Sequence, residues 1–175
     1  MHAKLKNAPG IYLAGFMGCG KSTVGRLLAD WLGWEFVDLD EEIETAAGET
    51  IAEIFDRHGE AAFRTLERSA LLRHTEQARL GSPRVVALGG GCFAQRKNRE
   101  TLADAGVTIW LDCPVDELWE RATMTKERPL ARNRPAFEAL YRDRREGYEK
   151  ADYRVSSQGT GPEQVIEAIR NLGLV

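Results

Sequence analysis

No apolar run in this 175-residue sequence approaches the roughly twenty residues of a membrane span. Lys4 and Lys6 precede one apolar stretch, Ile11 to Met17, but it is short, broken by Gly15 and followed by Lys21, so it does not read as a signal peptide. Cysteine is scarce. Cys19, Cys92 and Cys113 form an odd, widely spaced set with no CxxC pair, which argues against a disulfide framework or a structural zinc site. Reduced thiols in the cytoplasm are the economical reading. An excess of one charge is also missing. Lys plus Arg number 24 and Asp plus Glu 27, a net charge of −3, so no basic field exists to hold nucleic acid or an anionic membrane. His2, His58 and His74 have no metal-ligand spacing. No tandem repeat, linker or low-complexity segment divides the chain. What is there is ordinary: 43% hydrophobic and 29% charged residues exclude a disordered chain, and the length suits one domain over 1–175.

Short apolar runs alternate with amphipathic stretches. Ile11–Ala14, Trp34–Leu39, Val85–Leu88, Val107–Leu111 and Tyr153–Val155 read as strands. The first helix carries Val24, Leu27, Leu28 and Trp31 on one face and closes at Gly33. Further helices are expected over Ile51–Phe55, Glu60–Leu80, Asn98–Asp104, Val115–Ala122, Phe137–Lys150 and Pro162–Leu172, the second with Phe63, Leu66 and Ala70 on one side. Trp31, Trp34, Trp110 and Trp119 fit core faces. Thr125–Pro135 reads as a loop. Continuous apolar strands between such helices predict an α/β fold, a three-layer α/β/α sandwich around a five-stranded parallel sheet.

The strongest motif is Gly15-Phe16-Met17-Gly18-Cys19-Gly20-Lys21-Ser22-Thr23, which fits G-x-x-x-x-G-K-[ST] between a strand and a helix. Glycines let several backbone N–H groups turn toward one anion, and the helix start adds its positive dipole end. Lys21 sets a full charge against β- and γ-phosphates, and Ser22 offers a hard oxygen to Mg²⁺. These residues predict a nucleoside triphosphate site of the P-loop type; what the triphosphate is used for is a separate question.

No N-K-x-D guanine-reading element occurs, and the third strand ends in Gly89 where a motor ATPase carries an acid. Acids follow the second strand instead, at Asp38 and Asp40. Alternate residues of an extended segment share one side, so both would face the ligand edge of the sheet. Asp40 is a candidate to orient or deprotonate an acceptor hydroxyl; an N-cap before Glu41-Glu42-Ile43 is the competing, compatible reading. Arg64 is a planar fork suited to a carboxylate, or an ion-pair partner of Glu60. The basic segment from Lys126 through Arg128 and Arg132 to Arg134 suits a mobile lid, about 124–136, that excludes water, or a solvated loop. Gly89-Gly90-Gly91 permits close backbone approach to a ligand.

Taken in order, Gly15–Thr23, Asp38-x-Asp40, Gly59-Glu60-x-x-Phe63-Arg64-x-x-Glu67, Leu88-Gly89-Gly90-Gly91, Arg128-Pro129-Leu130 and Arg144-x-x-x-Tyr148 resemble the motifs of shikimate kinases, over nearly the whole chain. The resemblance implies transfer of the γ-phosphoryl of ATP to the 3-hydroxyl of shikimate, a step of aromatic amino acid biosynthesis. It implies ATP contacts at Gly18, Cys19, Gly20, Lys21, Ser22, Thr23 and the lid residue Arg128. Ser22 and Asp38 would hold Mg²⁺. Asp40 would take the shikimate hydroxyls, Arg64 and Arg144 its carboxylate, and the Gly90 backbone would touch it; Lys21, Asp40 and Arg128 would be catalytic. Many members carry Pro two residues after the position of Arg144, where Glu146 stands here, and Arg145 adjoins.

Three expectations compete. A related kinase would take another hydroxy acid such as gluconate, or a nucleoside monophosphate. A regulatory module would bind nucleotide without turnover. The paired arginines favour a carboxylated polyol over a neutral sugar, and the retention of Lys21, Asp38, Asp40 and the lid arginine argues against a module. A cytoplasmic monomer is expected.

Overall fold

The computed structural model describes residues 2–124 and 133–175. At its centre lies β1 (Gly10–Ala14), buried at every position. Its neighbours are β3 (Arg84–Ala87) and β4 (Val107–Asp112), with β2 (Glu35–Asp38) and β5 (Tyr153–Ser156) outside them, in the order β2-β3-β1-β4-β5. All four pairings are parallel, so the C-terminal ends of the five strands share one edge. A strand that is flanked on both sides and covered on both faces must be apolar throughout, which is why β1, β3 and β4 lack alternation. The chain leaves β1 toward β2 but later crosses from β3 to β4 on the other side. That reversal beside β1 is where open α/β sheets place their ligands.

Helices cover both faces of the sheet. They are α1 (Ala3–Asn7), α2 (Lys21–Leu32), α3 (Leu39–Ala47), α4 (Ile51–His58), α5 (Glu60–Arg79), α6 (Arg96–Ala103), α7 (Val115–Met124), α8 (Arg134–Tyr148) and α9 (Pro162–Arg170). No helix among the described residues is long and apolar enough to cross a membrane. The three-layer α/β/α architecture with a five-stranded parallel sheet is the one the sequence predicts.

Local readings differ in places. Helix α2 buries Val24, Gly25, Leu28 and Ala29, while Leu27 and Trp31 are exposed. Gly25 rotates the buried face, because a Cβ there would lie 2.4 Å from the Phe36 ring. Trp31, far from being a core residue, is 47% exposed beneath the Arg170 guanidinium. On α5 the buried stripe runs through Phe63, Glu67, Ala70 and Leu71, and Leu66 faces out. The second strand stops at Asp38 and α3 begins at the next residue, earlier than the Glu41 start that an N-cap at Asp40 predicts; α1 is not predicted. Helix α8 starts at Arg134 with Asn133 as its N-cap, so the reading of a loop to Pro135 runs too far. Arg134 pairs with Asp116 and Glu138 on helical surface. Lys126, Arg128, Pro129 and Arg132 lie outside the described residues.

One buried polar cluster fixes α3 against α5 and the sheet. Arg84, 1% exposed, reaches His74 Nδ1 at 2.8 Å, and His74 Nε2 meets Glu42 Oε2 at 2.8 Å. Arginine only donates, so Nδ1 accepts and the Nε2 proton goes to Glu42. The histidine without a predicted role thus ties together the helices on which Asp40 and Arg64 sit.

Candidate active site

The loop from Gly15 to Gly20 links β1 to α2. Gly18 and Gly20 take φ of +82° and +97°, left-handed values that favour glycine. A Cβ at Gly15 would meet Cys19 Sγ at 2.7 Å and Leu111 O at 2.8 Å, so the loop closes only around glycine. Cys19 is buried under the loop and contributes backbone to it. Lys21 Nζ donates to Gly15 O at 2.8 Å and Phe16 O at 3.0 Å, which holds the ammonium inside the loop's curve. Ser22 Oγ donates to Asp38 Oδ2, and Asp38 Oδ1 accepts from the N–H groups of Asp40 and Glu41. Asp38, not Asp40, is therefore the N-cap of α3. Both acids do face one cleft, but through a strand-to-helix turn rather than strand alternation. That cleft, about 370 Å³, is lined by Gly18, Gly20, Lys21, Ser22 and Thr23 on one wall and by Asp38, Asp40, Leu88 and Gly90 on the other.

Across the cleft, the Gly89–Gly91 turn explains its own composition. A Cβ at Gly89 would lie 2.6 Å from Asp40 Oδ1 and 3.0 Å from Glu67 Oε1. At Gly90 it would lie 3.0 Å from Arg144 Nη1, and at Gly91 2.5 Å from Arg64 Nη2. Each glycine is crossed by the end of a charged side chain from α3, α5 or α8, so a side chain at any of them would push that group aside. The same distances bring Asp40, Arg64, Glu67 and Arg144 to one turn.

Arg64 Nη1 pairs with Glu67 Oε2 at 2.9 Å and Nη2 with Glu60 Oε1 at 3.2 Å, so the ion pair that competed with the clamp reading is present alongside it. Arg144 lies over the Phe16 ring at 5.7 Å. Arg145 points elsewhere, to Tyr141 Oη at 2.8 Å, Glu149 and the Trp110 face. The structure thus separates the two adjacent arginines. Glu146, at the departure from the family pattern, is exposed.

Two buried acceptors have no partner among the described residues: Asp40 Oδ1 and Glu67 Oε1. Orphaned buried oxygens are costly and mark places where a donor is missing. Burial pushes the Asp40 carboxyl above its ordinary range, against the pull of Lys21. Burial does the same to Glu67, against Arg64. Serine and aspartate at the mouth of the phosphate loop are hard oxygen donors and fit Mg²⁺, which takes few protein ligands beside phosphates and water.

Sequence reasoning missed three participants. Glu67 and Tyr148 stood in the quoted motifs without a role. The third, Arg121, donates to Gly18 O at 3.0 Å and lines a second cleft of about 210 Å³ with Cys19, Thr23, Ser157, Thr160 and Pro162.

Known proteins resemble this chain in sequence and in fold. The family model described as shikimate kinase matches residues 17–172. A shikimate kinase of Persephonella marina is 43% identical over 160 residues, 91% of this chain and 95% of that protein. A crystal structure of shikimate kinase from Acinetobacter baumannii in complex with shikimate is 37% identical, superposes with a TM-score of 0.87, and covers 97% of this chain and 95% of that one. A gluconokinase from Sinorhizobium meliloti, 19% identical with a TM-score of 0.61 over 95% of this chain and 93% of its own, shares the fold alone.

Proposed function

The chain belongs to the shikimate kinase family, and on that premise we propose that it transfers the γ-phosphoryl of ATP to the 3-hydroxyl of shikimate with its residues divided between two walls of one cleft. The observation that carries this reading is the meeting of Asp40, Arg64 and Arg144 at Gly89–Gly91, opposite the phosphate loop.

Phosphoryl transfer needs positioning and charge neutralisation more than covalent help from the protein. The loop amides and the N-terminus of α2 take the β- and γ-phosphates. Lys21 leaves the carbonyls of Gly15 and Phe16 for the phosphate oxygens, a stronger partner for an ammonium. Gly18, Gly20 and Thr23 line the triphosphate path, and Cys19 lies beneath it. Ser22 and Asp38 would hold Mg²⁺, which when bound supplies positive charge at the phosphates. Arg64 and Arg144 clamp the shikimate carboxylate from two sides of the glycine turn, and the Gly90 backbone supports the ring. Asp40 then meets the 3-hydroxyl with its unpartnered oxygen, orienting the attacking oxygen and accepting its proton as the P–O bond forms. The second cleft, walled by Arg121 and Pro162, takes the purine. By the family resemblance, Arg128 would add positive charge at the phosphates. One chain supplies every residue named, so a monomer suffices, and its place is the cytoplasm.

Coupled measurement of ADP release tests this directly. ATP is consumed with shikimate and Mg²⁺ and hardly at all with gluconate or AMP. Turnover of another acceptor, with none of shikimate at millimolar concentration, would overturn the assignment. Tight ATP binding without turnover of any acceptor would favour the regulatory module.

A further inference from the structure

The carbonyls of the turn after β3 are captured from outside the cleft. Tyr148 Oη donates to Gly90 O, Asn98 Nδ2 to Cys92 O at 3.0 Å, and Arg99 Nη1 to Phe93 O at 2.9 Å and Ala94 O at 2.6 Å. The amides of Gly89, Gly90 and Gly91 donate to no protein acceptor among the described residues. A trans peptide holds its C=O and N–H on opposite sides. A Gly90 carbonyl drawn outward therefore turns the Gly91 N–H inward.

Tyr148 is completely buried, with its ring 6.1 Å from that of Trp110. Gly147 lets α8 come this close, since a Cβ there would lie 2.9 Å from Ala94 Cα. Burial raises the phenol far above its ordinary range, so its proton is present throughout the working pH range. Arg144, one turn earlier on α8, lies against Gly90, where a Cβ would sit 3.0 Å from its Nη1. A phenol has one proton, and here it goes to Gly90 O.

We propose that Tyr148 is a positioning residue of the acceptor site: its hydroxyl donates to Gly90 O, so one side chain holds the peptide whose N–H turns inward and against which the Arg144 clamp lies. The bond also polarises the Gly90–Gly91 peptide, which makes it a better donor. The proposal rests on the reading of Arg144 and Gly90 as acceptor contacts.

Tyr148→Phe removes the hydroxyl and keeps the ring, so the core survives. The KM for shikimate should rise about three- to tenfold, as for one lost hydrogen bond. The KM for ATP should stay within about twofold. In the ligand-free protein, the Gly90 and Gly91 amide resonances should shift and exchange faster, while Gly18 and Gly20 keep theirs. Equal rises in both KM values, or unmoved Gly90 and Gly91 amides, would overturn the proposal. Failure of the wild type to use shikimate would instead sink the function, and the amide measurement would still judge the hold of Tyr148 on the turn.

Discussion

The two walls of the cleft are built in opposite ways. The phosphate wall is one stretch of nine residues, and its chemistry is mostly backbone: amides turned by glycine, a helix start, and one lysine inside the curve. The acceptor wall draws single side chains from α3, α5 and α8 onto a glycine turn. The first wall recognises an anion that all triphosphates share. The second must recognise one particular small molecule, and side chains from separate elements can be exchanged one at a time to do so. On the proposed function, specificity resides in the acceptor wall and basic reactivity in the phosphate wall.

Substitutions can break this division. The largest effect should come from Lys21→Ala, with kcat/KM falling about 10³-fold for any acceptor, since it removes charge stabilisation of the transferring group. A loss confined to shikimate KM would contradict the division. Asp40→Asn should lower kcat about 10²-fold by removing the orienting carboxylate. It should also raise stability in a pH-dependent way. Burial raises the Asp40 pKa, so ionising it in the folded state costs stability. That cost is absent below the ordinary carboxylate value of about 4, grows as pH climbs through the raised folded value, and is constant above it. Thermal unfolding should show Asp40→Asn melting above the wild type at neutral pH, with the two converging in acid.

Arg64→Ala and Arg144→Ala should each raise the KM for shikimate about tenfold or more while the KM for ATP barely moves, as steady-state kinetics with each substrate varied would show. Lysine should restore little, because only the guanidinium fork matches a carboxylate in two bonds. The smallest effect sharpens the contrast. Arg145→Ala, one residue along but facing Tyr141 and Trp110, should leave both KM values within about twofold. A large rise in the shikimate KM there would mean that the clamp has been assigned to the wrong arginine.

The same contrast governs what was legible in the sequence. Gly15–Thr23 declares itself because its physics is local. The fold class was readable for the same reason, since β1, β3 and β4 are continuous apolar runs between amphipathic helices. Boundaries blurred where a tertiary contact decides them. Asp38 ends β2 and caps α3 at once, a choice stabilised by Ser22 sixteen residues away, so reading the strand on to Leu39 put the start of α3 too late. Leu27 and Trp31 satisfied a helical period but lost the buried face to Gly25, whose value lies in the Phe36 ring it admits. The three glycines after β3 looked excessive for a turn because the side chains that cross them come from elsewhere in the chain. Glu67 and Tyr148 act on other protein groups, and spacing carries no sign of that.

A crystal structure with ADP and shikimate would test the account most directly. It should place the shikimate carboxylate between the guanidinium groups of Arg64 and Arg144, and the 3-hydroxyl against Asp40 facing the phosphate loop. Shikimate bound away from Gly89–Gly91, with both arginines still on their protein partners, would contradict it.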